Sequence, residues 1–253
     1  MRGDILKKKL MVLCAVAIMI STCLTGCKMN SGKIRFGSAG IGGTYQIFGD
    51  TFANLISSKS KKYNIEVKTT AGSAANLRLL SKDYIQMAVA QMDLINDAYN
   101  RTGIFENDKK YQGYRAVASL YTEACQIVVP ADSDIQSMDD LEGKKVCIGE
   151  EESGTEQNAL QILNAYGLNE RLVDTVNLNY TDAAKKLKSG DIDAFFCTAG
   201  VQTTVINELS KQCKIRLVSL DQKGVSRLKK SYKFYTEYTI PAVSYTHLTL
   251  PTN

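Results

Sequence analysis

The sequence predicts an α/β fold with largely parallel sheets, arranged as two lobes of similar plan. Two observations predict it. Short β-branched apolar runs alternate with segments of helical period along the chain. The second half then repeats the layout of the first, with a matched Ser81-x-Asp83 and Ser189-x-Asp191, each joining a helix to a buried strand.

The elements follow in order. Residues 34–37 read as the first strand. After a glycine-rich turn, the next helix is expected to carry Ile47, Phe48, Phe52, Leu55 and Ile56 on one face. Strand 65–69, helix 74–80 and buried strand 85–90 come next. Helix 93–99 has Asp93 as its expected cap. Residues 115–120 and 126–130 read as strands around a crossing point between the lobes. In the second half, 145–148 is a strand, and 155–166 is a helix that stops at Gly167. Residues 173–178 are extended, 182–187 are helical and end near Gly190, and 192–197 form a strand. A helix from about 201 to 210 precedes strand 215–220, which leads back towards the first lobe.

Both ends read differently from the rest. Arg2 and Lys7 to Lys9 form a basic start, and 10–20 is an apolar run too short to span a bilayer comfortably. It ends at Leu24-Thr-Gly-Cys27, which resembles a bacterial lipobox, with the Cys27 thiol as the atom to be lipidated. Residues 1–27 are thus expected to be a lipoprotein signal peptide, and 28–33 a tether. At the other end, residues 243–252 resemble the translation of a transposon-derived sequencing adapter. The native sequence is therefore expected to stop near Ala242, and 243–253 to be foreign to the fold. The single histidine, His247, lies in that tail.

The net charge of +5 is mostly the signal: residues 1–28 hold five basic residues and one acidic one. The remainder is balanced, 26 basic against 25 acidic, which argues against a nucleic-acid partner. Of seven cysteines, Cys14, Cys23 and Cys27 belong to the signal. Cys125, Cys147, Cys197 and Cys213 show no metal-ligand spacing and read as free thiols, mostly in apolar strands. No metal or cofactor is expected. An enzyme is disfavoured, because Ser153 or Cys197 would lack a histidine base, and Glu150-Glu-Glu152 reads as an exposed acidic loop.

Two motifs point to a ligand. Gly42-Gly-Thr-Tyr45 opens a helix directly after a strand. The free N–H groups and the helix dipole there suit a carboxylate or phosphate, with Thr44 and Tyr45 adding hydroxyls. Ser153-Gly-Thr-Glu156 occupies the same position in the second half and has capping-box form. Two helix starts at the carboxyl ends of strands are where open α/β sheets bind ligands. Gly72-Ser73-x-x-Asn76, Gln91, Tyr121, Glu123 and Ala199-Gly-Val-Gln202 lie at the same level. Uncharged donors dominate, a pattern suited to reversible binding of a small anion.

Many ordered motifs resemble those of the TAXI solute receptors of tripartite ATP-independent periplasmic (TRAP) transporters. They are Gly42-Gly-Thr-Tyr45, Ala71-Gly-Ser-Ala-Ala-Asn-Leu-Arg-Leu-Leu80, Ala90-Gln-Met-Asp93 and Ala116-Val-Ala-Ser-Leu-Tyr121. Asp139-Asp-Leu-Glu-Gly-Lys-Lys-Val146, Ser153-Gly-Thr-Glu156, Asp191-Ile-Asp-Ala-Phe-Phe196 and Ala199-Gly-Val201 complete the set. The resemblance implies a type II periplasmic-binding-protein fold. Lobe 1 would comprise 34–125 plus 221–242, and lobe 2 would comprise 126–220. It implies an extracytoplasmic, lipid-anchored receptor for a small carboxylate such as glutamate or 2-oxoglutarate, handed to TRAP membrane permease subunits. A clamshell reporting to a sensor partner is the alternative. By position, Gly43, Thr44, Tyr45, Ser73, Asn76, Gln91, Ser153, Gly154 and Thr155 would face the cleft. Family members continue past the position of Ala242 with helices that cover the first lobe, so part of that lobe is expected to be uncovered here.

Overall fold

The computed structural model describes residues 32–109, 111–241 and 244–245. The lipobox with Cys27, most of the tether and His247 lie outside them. The first half builds a three-stranded parallel sheet from β1 (Lys33–Gly37), β2 (Asn64–Lys68) and β3 (Met87–Ala88), in the order β2-β1-β3. Its helices are α1 (Thr44–Lys59), α2 (Ser73–Ser81) and α3 (Met92–Asn100). The second half uses β4 (Ala124–Pro130), β5 (Lys145–Cys147), β6 (Asp174–Val176), β7 (Ala194–Ala199) and β8 (Ile215–Leu217), in the order β6-β5-β7-β4-β8. Strand β4 runs antiparallel to both neighbours, while β5, β6 and β7 are mutually parallel. The arrangement β2-β1-β3 is thus repeated as β6-β5-β7, the similar plan that the sequence implies. Helices α4 (Gly154–Ala165), α5 (Tyr180–Ser189), α6 (Thr204–Gln212) and α7 (Gln222–Ser231) flank the second sheet.

Strand periodicity builds the cores. All six residues of β7 are buried, and Phe195 and Phe196 face opposite sides. Phe196 packs with Ile162 and Leu163 of α4 and Leu228 of α7. Phe195 packs with Leu187 of α5 and Ile206 and Leu209 of α6. In the first lobe, Phe36 meets Phe48 and Phe52 with ring centroids 6.1 and 5.8 Å away, a spacing at which aromatic pairs attract.

Several expectations change. Tyr245, in the stretch expected to be foreign to the fold, is buried in the second-lobe core, where its hydroxyl donates to Gln126 Oε1 and accepts from Gln202 N. Ile47 and Leu55 are exposed, because the apolar stripe of α1 is narrow and centres on Phe48, Phe52 and Ile56. Residues 115–120 do not form a strand; Val117 is 83% exposed, and without a neighbouring ladder its alternating pattern has nothing to pair with. Helix α7 is polar. Its Leu228 joins the core around α4, so residues 222–231, assigned to the first lobe by sequence, pack on the second. Beside β3, an open cavity of about 1350 Å³ is lined by Phe36, Phe48, Phe52, Met87 and Val117.

Candidate functional site

The facing helix starts bring the two lobes together. Helix α1 begins after Gly43, and α2 after Gly72; neither has a side-chain cap, and the first N–H groups of α1 are left for another partner. In contrast, α4 has the Ser153 cap that its sequence implies, but not the reciprocal half of the box, because Ser153 N donates to the Glu150 carbonyl. Ser153 Oγ accepts from Glu156 N at 3.0 Å, and Glu156 Oε2 accepts from Glu152 N at 2.8 Å. The loop before α4 reaches across to the other lobe. The Glu152 carbonyl accepts from Ala75 N at 3.2 Å, and its carboxylate lies 3.0 Å from Arg78 Nε. The α2 start is therefore capped in trans by the second lobe.

A polar network fills the space between the lobes. Tyr45 Oη donates to Glu123 at 3.0 Å and lies 3.5 Å from Ser73 Oγ. Ser73 Oγ accepts from Gln91 N at 3.1 Å. Gln91 Nε2 crosses to Asn158 Oδ1 at 3.1 Å, and Asn158 Nδ2 donates to Tyr235 Oη at 2.7 Å. Thr155 Oγ1 meets Tyr180 Oη, which donates to the Thr198 carbonyl at 2.9 Å. Gly43 packs near the Tyr180 ring, and Gly154 lies directly under the Gln91 carboxamide, where any Cβ would collide with it. At the rim, Thr181 Oγ1 donates to the Ile41 carbonyl at 3.1 Å.

Tyr45, Ser73, Gln91, Gly154 and Thr155 thus converge at the junction of the lobes, with Gly43 and Thr44 beside them. Ser153 lines the junction but its hydroxyl serves the cap. Asn76 does not join them. It is fully buried and braces the first lobe, donating to the Ser38 and Val89 carbonyls at 2.7 and 2.8 Å and accepting from Thr70 at 2.8 Å. Asp93 does not cap α3 either. Gln91 holds the cap position, and Asp93 Oδ1 accepts from Leu94 N at 2.8 Å while its other oxygen faces Asn158. Sequence reading kept Glu123 only as a neighbour of the crossing point and passed over Asn158 and Tyr180. Asn158 leaves a signal, an amide on the otherwise apolar face of α4.

Electrostatics at the junction are set by burial. Glu123 is pushed up to about 7 by desolvation, against the hydrogen bonds of Tyr45 and Gln91, with Asp93 adding repulsion. Burial also raises Asp93 and the Tyr45 hydroxyl. Among the described residues, no Lys or Arg forms an ion pair with Glu123 or Asp93. Nor does any group of three or more His, Cys, Asp or Glu among them form a metal-holding cluster.

Gly149 sets the approach to α4. It sits at φ +98°, and a Cβ there would lie 2.8 Å from Thr155 Cβ and 2.9 Å from Ser153 Oγ. Gly149→Ala is expected to cost about 2 kcal/mol through strain and displacement of 153–155. Chemical denaturation measures it; an unchanged midpoint would contradict the reading.

The NMT1-like family matches residues 36–252. The chain belongs to the NMT1-like family. Solved structures share the fold of this NMT1-like protein. A binding protein component of an ABC phosphonate transporter from Pseudomonas aeruginosa is 13% identical, with a TM-score of 0.53 over 84% of this chain and 76% of that one. The alkanesulfonate-binding protein SsuA from Xanthomonas axonopodis pv. citri, bound to MOPS, is 18% identical, with a TM-score of 0.50 over 74% of this chain. The NMT1-like chain spans 60% of the length of that protein. An ancestral arginine-binding protein bound to arginine is also 18% identical, with a TM-score of 0.50, over 80% of this chain and 93% of that one. The NMT1-like protein therefore has the periplasmic-binding-protein fold.

Proposed function

We propose that this protein is an extracytoplasmic solute-binding receptor that delivers a small carboxylate, of the glutamate or 2-oxoglutarate kind, to a TRAP-type secondary transporter. The observation that carries the reading is the convergence of the uncapped start of α1 with hydroxyls from facing lobes at one junction. Such a start holds an anion through backbone dipoles, without a charged side chain. The fold's solved relatives named above are binding proteins for small solutes, and the ordered motifs of the TAXI receptors point to the TRAP branch. Lipidation at Cys27 would tether the receptor at the outer membrane face, within reach of permease subunits. Binding is a hinge closure without chemistry: ligand contacts both lobes only in the closed form.

Calorimetric titration with amino acids and small dicarboxylates tests this. One of them is expected to bind with a Kd of about 1 μM or below, worth about 8 kcal/mol. Failure of every carboxylate to bind a protein shown by circular dichroism to be folded would overturn the reading.

A further inference from the structure

The sheet of the first lobe has a junction end and an opposite end, and the two differ in charge. Strands β1, β2 and β3 are parallel, so α1 and α2 each carry the chain back from the junction. The opposite end therefore collects the last residues of both helices and those before β2 and β3: Lys59, Lys61, Lys62 and Tyr63, then Lys82 and Tyr84. All six are exposed, Tyr63 to 45% and Tyr84 to 58%. Among the described residues, these four lysines form no ion pair. Glu66 is taken by Lys33 and Lys68, at 3.0 and 2.7 Å. Asp83 stands between Lys82 and Tyr84, and its carbonyl accepts from the Arg35 guanidinium at 2.8 Å. Lys62 Nζ lies 5.1 Å from the Tyr63 ring centroid, which keeps charge and ring on one face. The corresponding end of the second lobe is mixed in sign, with Lys144 on Asp134 at 2.8 Å and Lys186 near Asp191. The chain enters the first lobe at its basic end. Asn64 N donates to the Gly32 carbonyl at 2.6 Å, and a Cβ on Gly32 would collide with the Lys62 carbonyl oxygen. Five residue steps separate Gly32 from Cys27, a reach of about 18 Å at full extension.

We propose that this end of the first lobe is a membrane-facing surface that docks on anionic phospholipid headgroups. The candidate site, at the other end of β1, is then held facing away from the bilayer. This rests on the Cys27 anchor of the receptor reading above. Lysines within a Debye length of a bilayer are drawn to its anionic headgroups. Tyrosines settle at the same level, with the ring at the apolar boundary and the hydroxyl in water. The anchor brings this end close to the lipid, and the lysines and tyrosines fix which face meets it. Without them, an anchored body turns freely about its tether.

The chain has no tryptophan, so Tyr63→Trp places a single fluorescent reporter on this surface. The variant, purified from membranes with its anchor, is reconstituted into vesicles of bromine-labelled phosphatidylcholine, alone or mixed equally with bromine-labelled phosphatidylglycerol. Quenching is expected to be about twofold or more stronger with phosphatidylglycerol present, and to lose that excess in about 1 M salt, where the Debye length is ~3 Å. Replacing Lys59, Lys61, Lys62 and Lys82 with Gln is expected to remove the excess as well. Tyr84→Trp is a second reporter and should behave alike. Ile47→Trp, on the same helix as Lys59 but near its junction end, should show no excess quenching. Equal quenching in both vesicles at both tyrosine positions, or an excess that survives the four lysine substitutions, would overturn the lipid-facing surface and leave the anchored receptor standing. An excess at Ile47→Trp as large as at Tyr63→Trp would overturn the orientation. A Cys27 without acyl chains by mass spectrometry would overturn the anchor and this inference together.

Discussion

Phe196→Ala is expected to lower stability by about 3–5 kcal/mol, the range for emptying a fully buried aromatic site. Phe196 has no exposed surface and lies in β7, the strand with every residue buried. Its neighbours come from separate elements: Ile162 and Leu163 of α4, Leu228 of α7 and Ile127 of β4. Because they are anchored in a sheet and two helices, they relax only partly into the void, which places the cost in the upper part of the range. Denaturation in urea should show a lower midpoint with the same slope. A loss under about 1 kcal/mol, typical of a surface change, would mean that the second-lobe core does not pass through β7. Since β7 ends at Ala199, beside the Thr198 carbonyl that holds Tyr180, the variant is also expected to loosen the second jaw.

Glu123→Gln is expected to remove a pH dependence of stability. In the parent, the carboxyl titrates near 4.5 when unfolded and at about 7 when folded. Between these values the folded state holds the proton and the unfolded state does not, so stability falls as pH rises from about 4.5 to about 7 and is level above. The ceiling is about 3 kcal/mol, at about 1.4 kcal/mol for each unit. The groups facing Glu123 are Tyr45 from α1, Gln91 and Asp93 from the α3 start, and Tyr121 on its own segment. Cys125, Cys197 and Tyr180 lie further along the same buried wall. The remaining carboxyls titrate in both proteins, so the difference between variant and parent isolates this one group. The variant should match the parent near pH 4.5 and gain stability towards pH 8. A difference that stays constant over that span would refute the shift.

The sequence carried the fold better than the site. Alternating strand and helix signals placed nearly every element, because helices pack on the sheet of each lobe and so write a strong apolar period into the chain. What escaped was tertiary. Helix α7 reads as polar surface, and Leu228, a close approach of Gly224 to Tyr166, the Asp221 N–H to Tyr166 Oη and Arg227 over the Tyr166 ring fix it to the second lobe. The run 115–120 has strand character but no partner edge. At the junction, helix starts were legible because glycine and hydroxyl residues mark them locally. Glu123, Asn158 and Tyr180 acquire meaning only when two lobes close on each other, and no local spacing encodes that closure. Asn76 shows the converse: its place in a motif suggested a ligand, and its hydrogen bonds all go to its own lobe.

Under the proposed function, the side-chain network at the junction has a consequence for how cargo would leave. The groups that would grip a ligand already grip each other: Tyr45 holds Glu123, Gln91 holds Asn158 and Thr155 holds Tyr180. Loading is then an exchange of partners, with few hydrogen bonds gained in number. Unloading is the reverse exchange, in which the protein's own residues reclaim their places. If the protein is the receptor proposed above, it carries its own displacer, and a docked membrane partner would need only to tip a near-balanced exchange.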